Sequence, residues 1–159
     1  EVRRIPRTEV ETIRLTYPDG PRDCEALVVD DNGTVLLLTK LWGEFAFEVY
    51  AVPFKSGGGE AILEKVATVD ISDIESEVLG LVTGADFDSA SGRLAVRTYN
   101  SVILYALGPE VDFSAVATAE RRIYTPTSEP QGEAICFGHG GLFHVSEGTA
   151  PPLWWIPCP

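Results

Sequence analysis

One short pattern occurs three times in this 159-residue chain, and it limits the possible folds more than any other feature. The three copies start at Glu25, Gly84 and Glu133, and a glycine follows eight residues after each start. Apolar runs lie on both sides of each glycine. Each copy therefore predicts a strand, a tight turn and a second strand, so the chain is predicted to be an all-β repeat.

The composition narrows the functional classes. The hydrophobic fraction of 45% is typical of a globular protein. A net charge of −12 repels phosphate backbones, so we expect no nucleic-acid partner. No apolar run approaches about 18 residues, so we expect no membrane span. The chain contains no methionine, so we expect it to be a processed or cut product.

The three cysteines are too few for a dense disulfide framework, and no CxxC pair is present. They fit one disulfide plus a free thiol, or three buried thiols. Cys24 and Cys136 are predicted to lie on inner strands of different repeats, too far apart to form a disulfide. Cys158 is predicted to be unbridged as well.

Four-stranded antiparallel units at a spacing of about 50 residues are typical of β-propeller blades. The alternative is an antiparallel sandwich or barrel. We predict about three blades, over residues 22–80, 81–128 and 129–159, with the last blade one strand short. Residues 1–9 are predicted to be an arm, and residues 57–59, all glycine, a flexible loop within the first blade.

Residues 10–17 alternate between apolar and polar side chains, which predicts a strand without a partner in its own chain. Closed propellers have about 4–8 blades, so three blades need another chain, or the rest of a longer protein, to complete the ring. We predict that Val10–Tyr17 pairs with Leu153–Pro157 of another copy or of a complementary propeller half. The product is then a closed six-bladed ring or a head-to-tail filament.

Several stretches resemble the start of a blade in secreted bacterial six-bladed propellers of the phytase-like and SMP-30-like kind. These stretches are Tyr17–Leu27, Val82–Asp86, Arg97–Tyr99, and Pro130–Ile135 with Val145–Gly148. The resemblance implies a secreted or extracellular protein, with the periplasm as an alternative, and a chain about half the length of a full propeller. Most members of that group have no assigned function. The acidic cluster of calcium phytases does not map onto this chain residue by residue, so the resemblance implies no activity.

In a blade, the start of the first strand and the end of the second lie on the same face of the ring. This arrangement gathers polar side chains at a predicted channel mouth: Arg22, Asp23, Glu25, Lys40, Arg97, Tyr99, Gln131, Glu133 and Glu147. The carboxylates of Glu25 and Glu133 are candidate ligands for a cation such as Ca²⁺. In the alternative interpretation, Glu25 pairs with Lys40 and Arg97 pairs with Glu147, and the cluster is structural.

Two functions follow from these observations. The first is a non-catalytic extracellular propeller module for binding or assembly, with its blades completed by a second chain. The alternative is a calcium-dependent hydrolase of phosphate or carboxylic esters with its site at the channel mouth. Trp154 and Trp155 are adjacent in a strand and face opposite sides, so both are buried only if both faces of that blade are covered.

Overall fold

The computed structural model describes residues 2–53, 58–74, 81–108, 111–125, 129 and 131–158. The described strands are β1 (Ile13–Thr16), β2 (Asp23–Val29), β3 (Val35–Lys40), β4 (Ala46–Val52), β5 (Gly59–Ile62), β6 (Glu64–Asp70), β7 (Val82–Asp88), β8 (Arg93–Thr98), β9 (Val102–Ala106), β10 (Glu120–Tyr124), β11 (Gly132–Gly138), β12 (Gly141–Ser146) and β13 (Leu153–Pro157). Arg7–Glu9 and Phe113–Thr118 form short 3₁₀ segments. No helix of the described residues is long and apolar enough to cross a membrane.

The strands form three antiparallel blades. Blade 1 has the order β2-β3-β4-β6, blade 2 has the order β7-β8-β9-β10, and blade 3 has three described strands in the order β11-β12-β13. The first strands lie together, because β7 packs against both β2 and β11. The predicted fold class, an all-β protein of propeller blades, is therefore confirmed, with the last blade one strand short.

Each first strand carries a β-bulge, and the bulged residue marks the equivalent position in the three blades. The bulged residues are Glu25, Thr83 and Glu133, which have no partner in the register of the second strand. The three predicted repeat starts do lie on first strands, but Gly84 is one position past its bulge. The glycine follows the bulge by eight residues in blades 1 and 3, at Gly33 and Gly141, but by nine residues in blade 2, at Gly92, so a fixed offset of eight residues misses Thr83.

Side chains alternate across each blade and form two cores between blades. The larger core joins blades 1 and 2, where Val28 and Leu38 of blade 1 meet Phe87 and Val96 of blade 2. The smaller core joins blades 2 and 3 and contains Ala95, Val102, Leu104, Ile135 and Leu142. The central positions of blade 2 therefore face either blade 1 or blade 3, which is why its strands are apolar on both sides.

Residues 10–17 do have a partner in their own chain, so that prediction was wrong. β1 pairs in parallel with β5, and the amide of Leu63 donates to the carbonyl of Thr16 over 2.9 Å. Gly58 permits this contact, because a Cβ there would lie 2.9 Å from the carbonyl oxygen of Thr12. Gly59 is the first residue of β5 rather than part of a flexible loop, whereas Gly57 lies outside the described residues.

The β1–β5 pair covers part of blade 1 on the face that points away from blade 2. Leu15 and Tyr17 pack there against Tyr50, Val52 and Leu63. The rings of Tyr17 and Tyr50 meet edge to face with centroids 4.9 Å apart. The strand that was predicted to exchange between chains thus stabilises its own blade 1.

The three cysteines are free thiols, and Cys136 is exposed rather than buried. Cys24 lies on β2 and Cys136 on β11, which are first strands of different blades, and Cys158 follows β13. Burial raises the pKa of the Cys24 and Cys158 thiols. Both therefore stay protonated at neutral pH and are weak nucleophiles.

Candidate functional site

The starts of the first strands and the ends of the second strands meet on one face of the blade stack, here called the mouth. Asp23 pairs with Lys40 in blade 1, Val82 with Thr98 in blade 2, and Gly132 with Ser146 in blade 3. The mouth is therefore a row of three equivalent strand ends, and its polar side chains lie close to the bulges.

An ion pair within blade 1 contacts blade 2 at the mouth through the hydroxyl of Tyr99. Lys40 Nζ lies 2.6 Å from Glu25 Oε2 and donates to the Tyr99 hydroxyl over 3.0 Å. Burial disfavours the ammonium, but the bonds to Glu25 and Tyr99 outweigh it and raise the pKa of Lys40. Since the Lys40 side chain is 2% exposed and the Glu25 side chain 41% exposed, the pair anchors blade 2 and leaves part of one carboxylate in solvent.

A second buried group joins blades 2 and 3. Arg97 pairs with Glu129, and Glu129 Oε1 lies 3.2 Å from His144 Nδ1. All three side chains are at most 3% exposed. The predicted Arg97–Glu147 pair was wrong, because among the ion pairs of the described residues Arg97 pairs with the buried Glu129, whereas Glu147 is exposed.

Gly132 gives Arg97 its place in this group. A Cβ on Gly132 would lie 1.7 Å from Arg97 Nη2, so the guanidinium occupies the space that a side chain would fill. The hydroxyl of Thr83 donates to the carbonyl of Gly132 over 2.7 Å. Blade 2 therefore binds the start of β11 through the bulged Thr83, which donates to the Gly132 backbone. The Arg97–Glu129 ion pair adds a second contact beside it.

The remaining predicted mouth residues bond mainly within blade 3. Gln131 Nε2 donates to Glu133 Oε1 over 2.7 Å, and the Ser146 hydroxyl donates to the Gln131 carbonyl over 2.5 Å. The backbone amide of Glu147 donates to the same carbonyl over 2.9 Å. These bonds shape the turn that leads into β11.

The donor set at the mouth does not by itself fit a calcium ion. Ca²⁺ takes about 6–8 oxygen ligands, usually with several carboxylates. Glu25 is bound by an ammonium and Glu133 by an amide donor, and the two lie on different blades. The described residues contain no group of three or more His, Cys, Asp or Glu side chains that could hold a metal. Calcium binding and the hydrolase alternative therefore stay predictions, and no described contact favours them.

Two predicted residues have partners away from the row. Asp23 accepts a hydrogen bond from the indole of Trp42 over 3.0 Å, and Trp42 is 63% exposed. Arg22 does not join the mouth. It donates to Glu48 over 2.8 Å and to Asp19 over 2.7 Å.

Arg22 belongs to an ionic network that sequence reasoning missed. Lys65 Nζ lies 2.5 Å from Glu48 Oε1 and 2.9 Å from Asp19 Oδ2, and the Tyr50 hydroxyl donates to Glu48 over 2.8 Å. Burial disfavours the Glu48 carboxylate, but bonds from Arg22, Lys65 and Tyr50 outweigh it and lower its pKa. The network ties the turn before β2 to blade 1. The repeated pattern does not predict this network, since Asp19 lies outside the pattern.

Comparison with known proteins adds little to this picture. No protein-family model matches the chain, and no curated protein sequence matches it. Among solved structures, a chain of the crystal structure of a nidogen/laminin complex is 14% identical with a TM-score of 0.46, over 78% of this chain and 39% of that chain. The computationally designed Ika4 protein is 9% identical with a TM-score of 0.39, over 89% of this chain and 96% of that one. Both likenesses are distant, so the fold class rests on the sheets themselves.

Proposed function

We propose that this chain is a non-catalytic propeller module of an extracellular protein, that it acts in binding or assembly, and that the blades of a second chain complete its ring. One observation carries the proposal. The face of blade 3 that points away from blade 2 is apolar and exposed, at positions that are buried in blade 2. The extracellular setting rests on the resemblance to secreted bacterial propellers.

The bulge alignment makes these positions comparable. Phe143, Leu153 and Trp155 of blade 3 occupy the places that Ala95, Val102 and Leu104 occupy in blade 2. In blade 2 these residues are at most 5% exposed, because blade 3 covers them. In blade 3, Leu153 is 68% exposed and Trp155 is 49% exposed. An apolar surface at an interblade position favours a further blade as its cover.

Blade 1 offers the complementary surface at the other end of the stack. Leu27 and Val29 point away from blade 2 and are 58% and 51% exposed. Their equivalents in blade 2, Ala85 and Phe87, lie in the core with blade 1. A second copy that stacks blade 3 on blade 1, and blade 1 on blade 3, supplies three more blades. The resulting six lie within the range of about 4–8 for closed propellers.

Light scattering of the native particle tests the proposal. We expect a mass about twice the chain mass of 17.2 kDa. Leu153→Asp and Leu27→Asp should each give single chains, because each places a carboxylate in an apolar interface. Ile5→Asp is the matched control, since Ile5 is 68% exposed in the segment before β1 and should leave the mass unchanged. A wild-type chain that is monomeric at its highest soluble concentration contradicts the proposal. A mass that grows with concentration without limit indicates the filament.

A further inference from the structure

The mouth contains one place where a carboxylate and an aromatic ring together hold a cation. Lys40 Nζ lies 2.6 Å from Glu25 Oε2 and 4.8 Å from the centre of the Tyr99 ring. The charge of a carboxylate and the negative face of an aromatic ring both attract a cation in such a position. The same combination recurs in the ionic network of blade 1, where Lys65 Nζ lies 5.6 Å from the centre of the Tyr50 ring. The chain therefore uses acid–aromatic pairs to bind its own cations.

Asp23 and Trp42 form a third acid–aromatic pair at the mouth. The indole of Trp42 donates to Asp23 Oδ2 over 3.0 Å, so the ring and the carboxylate are held side by side. Trp42 is 63% exposed, and Asp23 is exposed as well. Among the described residues, no cation pairs with Asp23 or lies over the Trp42 ring. This pair is therefore ordered, open to solvent and without the cation that the other two pairs hold.

The charges around the Asp23–Trp42 pair favour a cationic ligand. The mouth cations Lys40 and Arg97 have side chains that are at most 2% exposed, whereas the Glu25 side chain is 41% exposed. An arginine side chain suits the pair best, because a planar guanidinium can stack on an indole and donate to a carboxylate at the same time.

Residues 2–9, here called the arm, carry arginines that can reach a partner. Arg3, Arg4 and Arg7 are three of the twelve basic residues of the chain, and the whole arm is exposed. The one ion pair described within the arm joins Arg3 to Glu9 over 3.6 Å, between side chains that are 83% and 52% exposed. Such an exposed pair contributes little free energy, so it does not hold the arm in place.

We propose that the arm of a second copy binds at the mouth, with an arginine guanidinium on the Trp42 ring and its N–H groups on the Asp23 carboxylate. The inference rests on the proposed function, because it names a further contact between two copies of the chain. A single cation–π contact at an exposed site is weak, so the arm adds to blade stacking and does not replace it. The number of chains in the particle should therefore not depend on the arm.

A synthetic peptide of residues 2–9 with a fluorophore at its C-terminus tests the contact. The receptor is the full chain with Leu27→Asp, which prevents stacking, and we expect a saturable rise in anisotropy that weakens as salt is added. Trp42→Ala in the receptor should weaken binding roughly two- to fivefold, because the variant lacks the ring. Trp155→Ala is the matched control, since it removes a tryptophan of blade 3 that is 49% exposed, and it should leave the affinity unchanged.

Two charge variants separate this site from a general attraction to an acidic protein. Asp23→Asn keeps an acceptor for the Trp42 indole but removes the charge, and it should weaken binding. Glu64→Gln removes the same charge from an exposed position at the opposite end of blade 1, and it should not. Equal effects of the two charge variants, or of the two tryptophan variants, mean that net charge alone attracts the peptide and overturn the inference. An absence of saturable binding overturns it as well.

The receptor's own arm is the competing occupant of the mouth. A receptor that also carries Arg3→Gln, Arg4→Gln and Arg7→Gln should bind the peptide as tightly as one with the native arm. Tighter binding means that each arm occupies the mouth of its own chain, which overturns the assignment to a second copy. Absent peptide binding beside an intact wild-type dimer overturns this inference alone. Peptide binding beside a wild-type chain that stays monomeric overturns the proposed stacking alone.

Discussion

At the residue scale, His144 makes stability depend on pH. Burial lowers the pKa of His144 below its ordinary value of 6.5, against the opposing charge of Glu129. Between the lowered pKa and about 6.5, the unfolded chain binds more protons than the folded chain. The contribution of His144 to folding is therefore full above about pH 6.5 and is lost as pH falls towards the lowered pKa.

Urea unfolding at a series of pH values measures this effect. The wild-type chain should lose free energy of unfolding between about pH 7 and pH 5, and His144→Gln should lose less over the same interval. His139→Asn is the control, because His139 is the one other histidine and is exposed. A His144→Gln chain with the full wild-type slope would show that other groups set the pH dependence.

The mouth shows which contacts a repeat pattern predicts. The Glu25–Lys40 pair was predicted from the sequence because both residues lie at matching ends of one hairpin. Glu129, the partner of Arg97, was not predicted. It lies in the connection before β11, where no repeated position marks it.

At the element scale, the long strands were predictable and the shortest pairing was not. Apolar and turn residues alternate clearly enough to predict β2, β3 and their counterparts. β5 has four residues, begins at a glycine of a glycine run and pairs in parallel with a distant strand, so no local period indicates it. The third blade ends one strand short in both the prediction and the described structure.

Two truncations test the role of β1. Removing residues 1–17 takes Leu15 and Tyr17 off Tyr50 and Val52, and it should lower the free energy of unfolding by roughly 2–4 kcal/mol. Removing residues 1–9 should have little effect, since residues 2–9 are exposed. Both truncated chains should form particles with as many chains as the wild type, as read by light scattering. If only the chain that lacks residues 1–17 failed to associate, the result would support strand exchange between chains by β1.

At the scale of the whole molecule, the blades act as a row of neighbours. The larger core contains residues of blades 1 and 2 and of the segment between β9 and β10, and none of blade 3. Blade 2 supplies three of the five buried residues of the smaller core. In such a row, the free energy of unfolding is roughly the sum of the stability of each blade and of each interface between neighbouring blades. Removing blade 1 should therefore cost more stability than removing blade 3.

This asymmetry predicts opposite results for two shortened chains. Residues 1–125 keep the larger core whole and should unfold in one cooperative urea transition, with a smaller m-value than the full chain because less surface is buried. Residues 81–159 keep blades 2 and 3 but expose Phe87, Leu94 and Val96, which blade 1 covers in the full chain. That chain should show no cooperative transition. A folded 81–159 beside an unfolded 1–125 would mean that the interface between blades 2 and 3, with its Arg97–Glu129–His144 group, stabilises the stack more than the larger apolar core does.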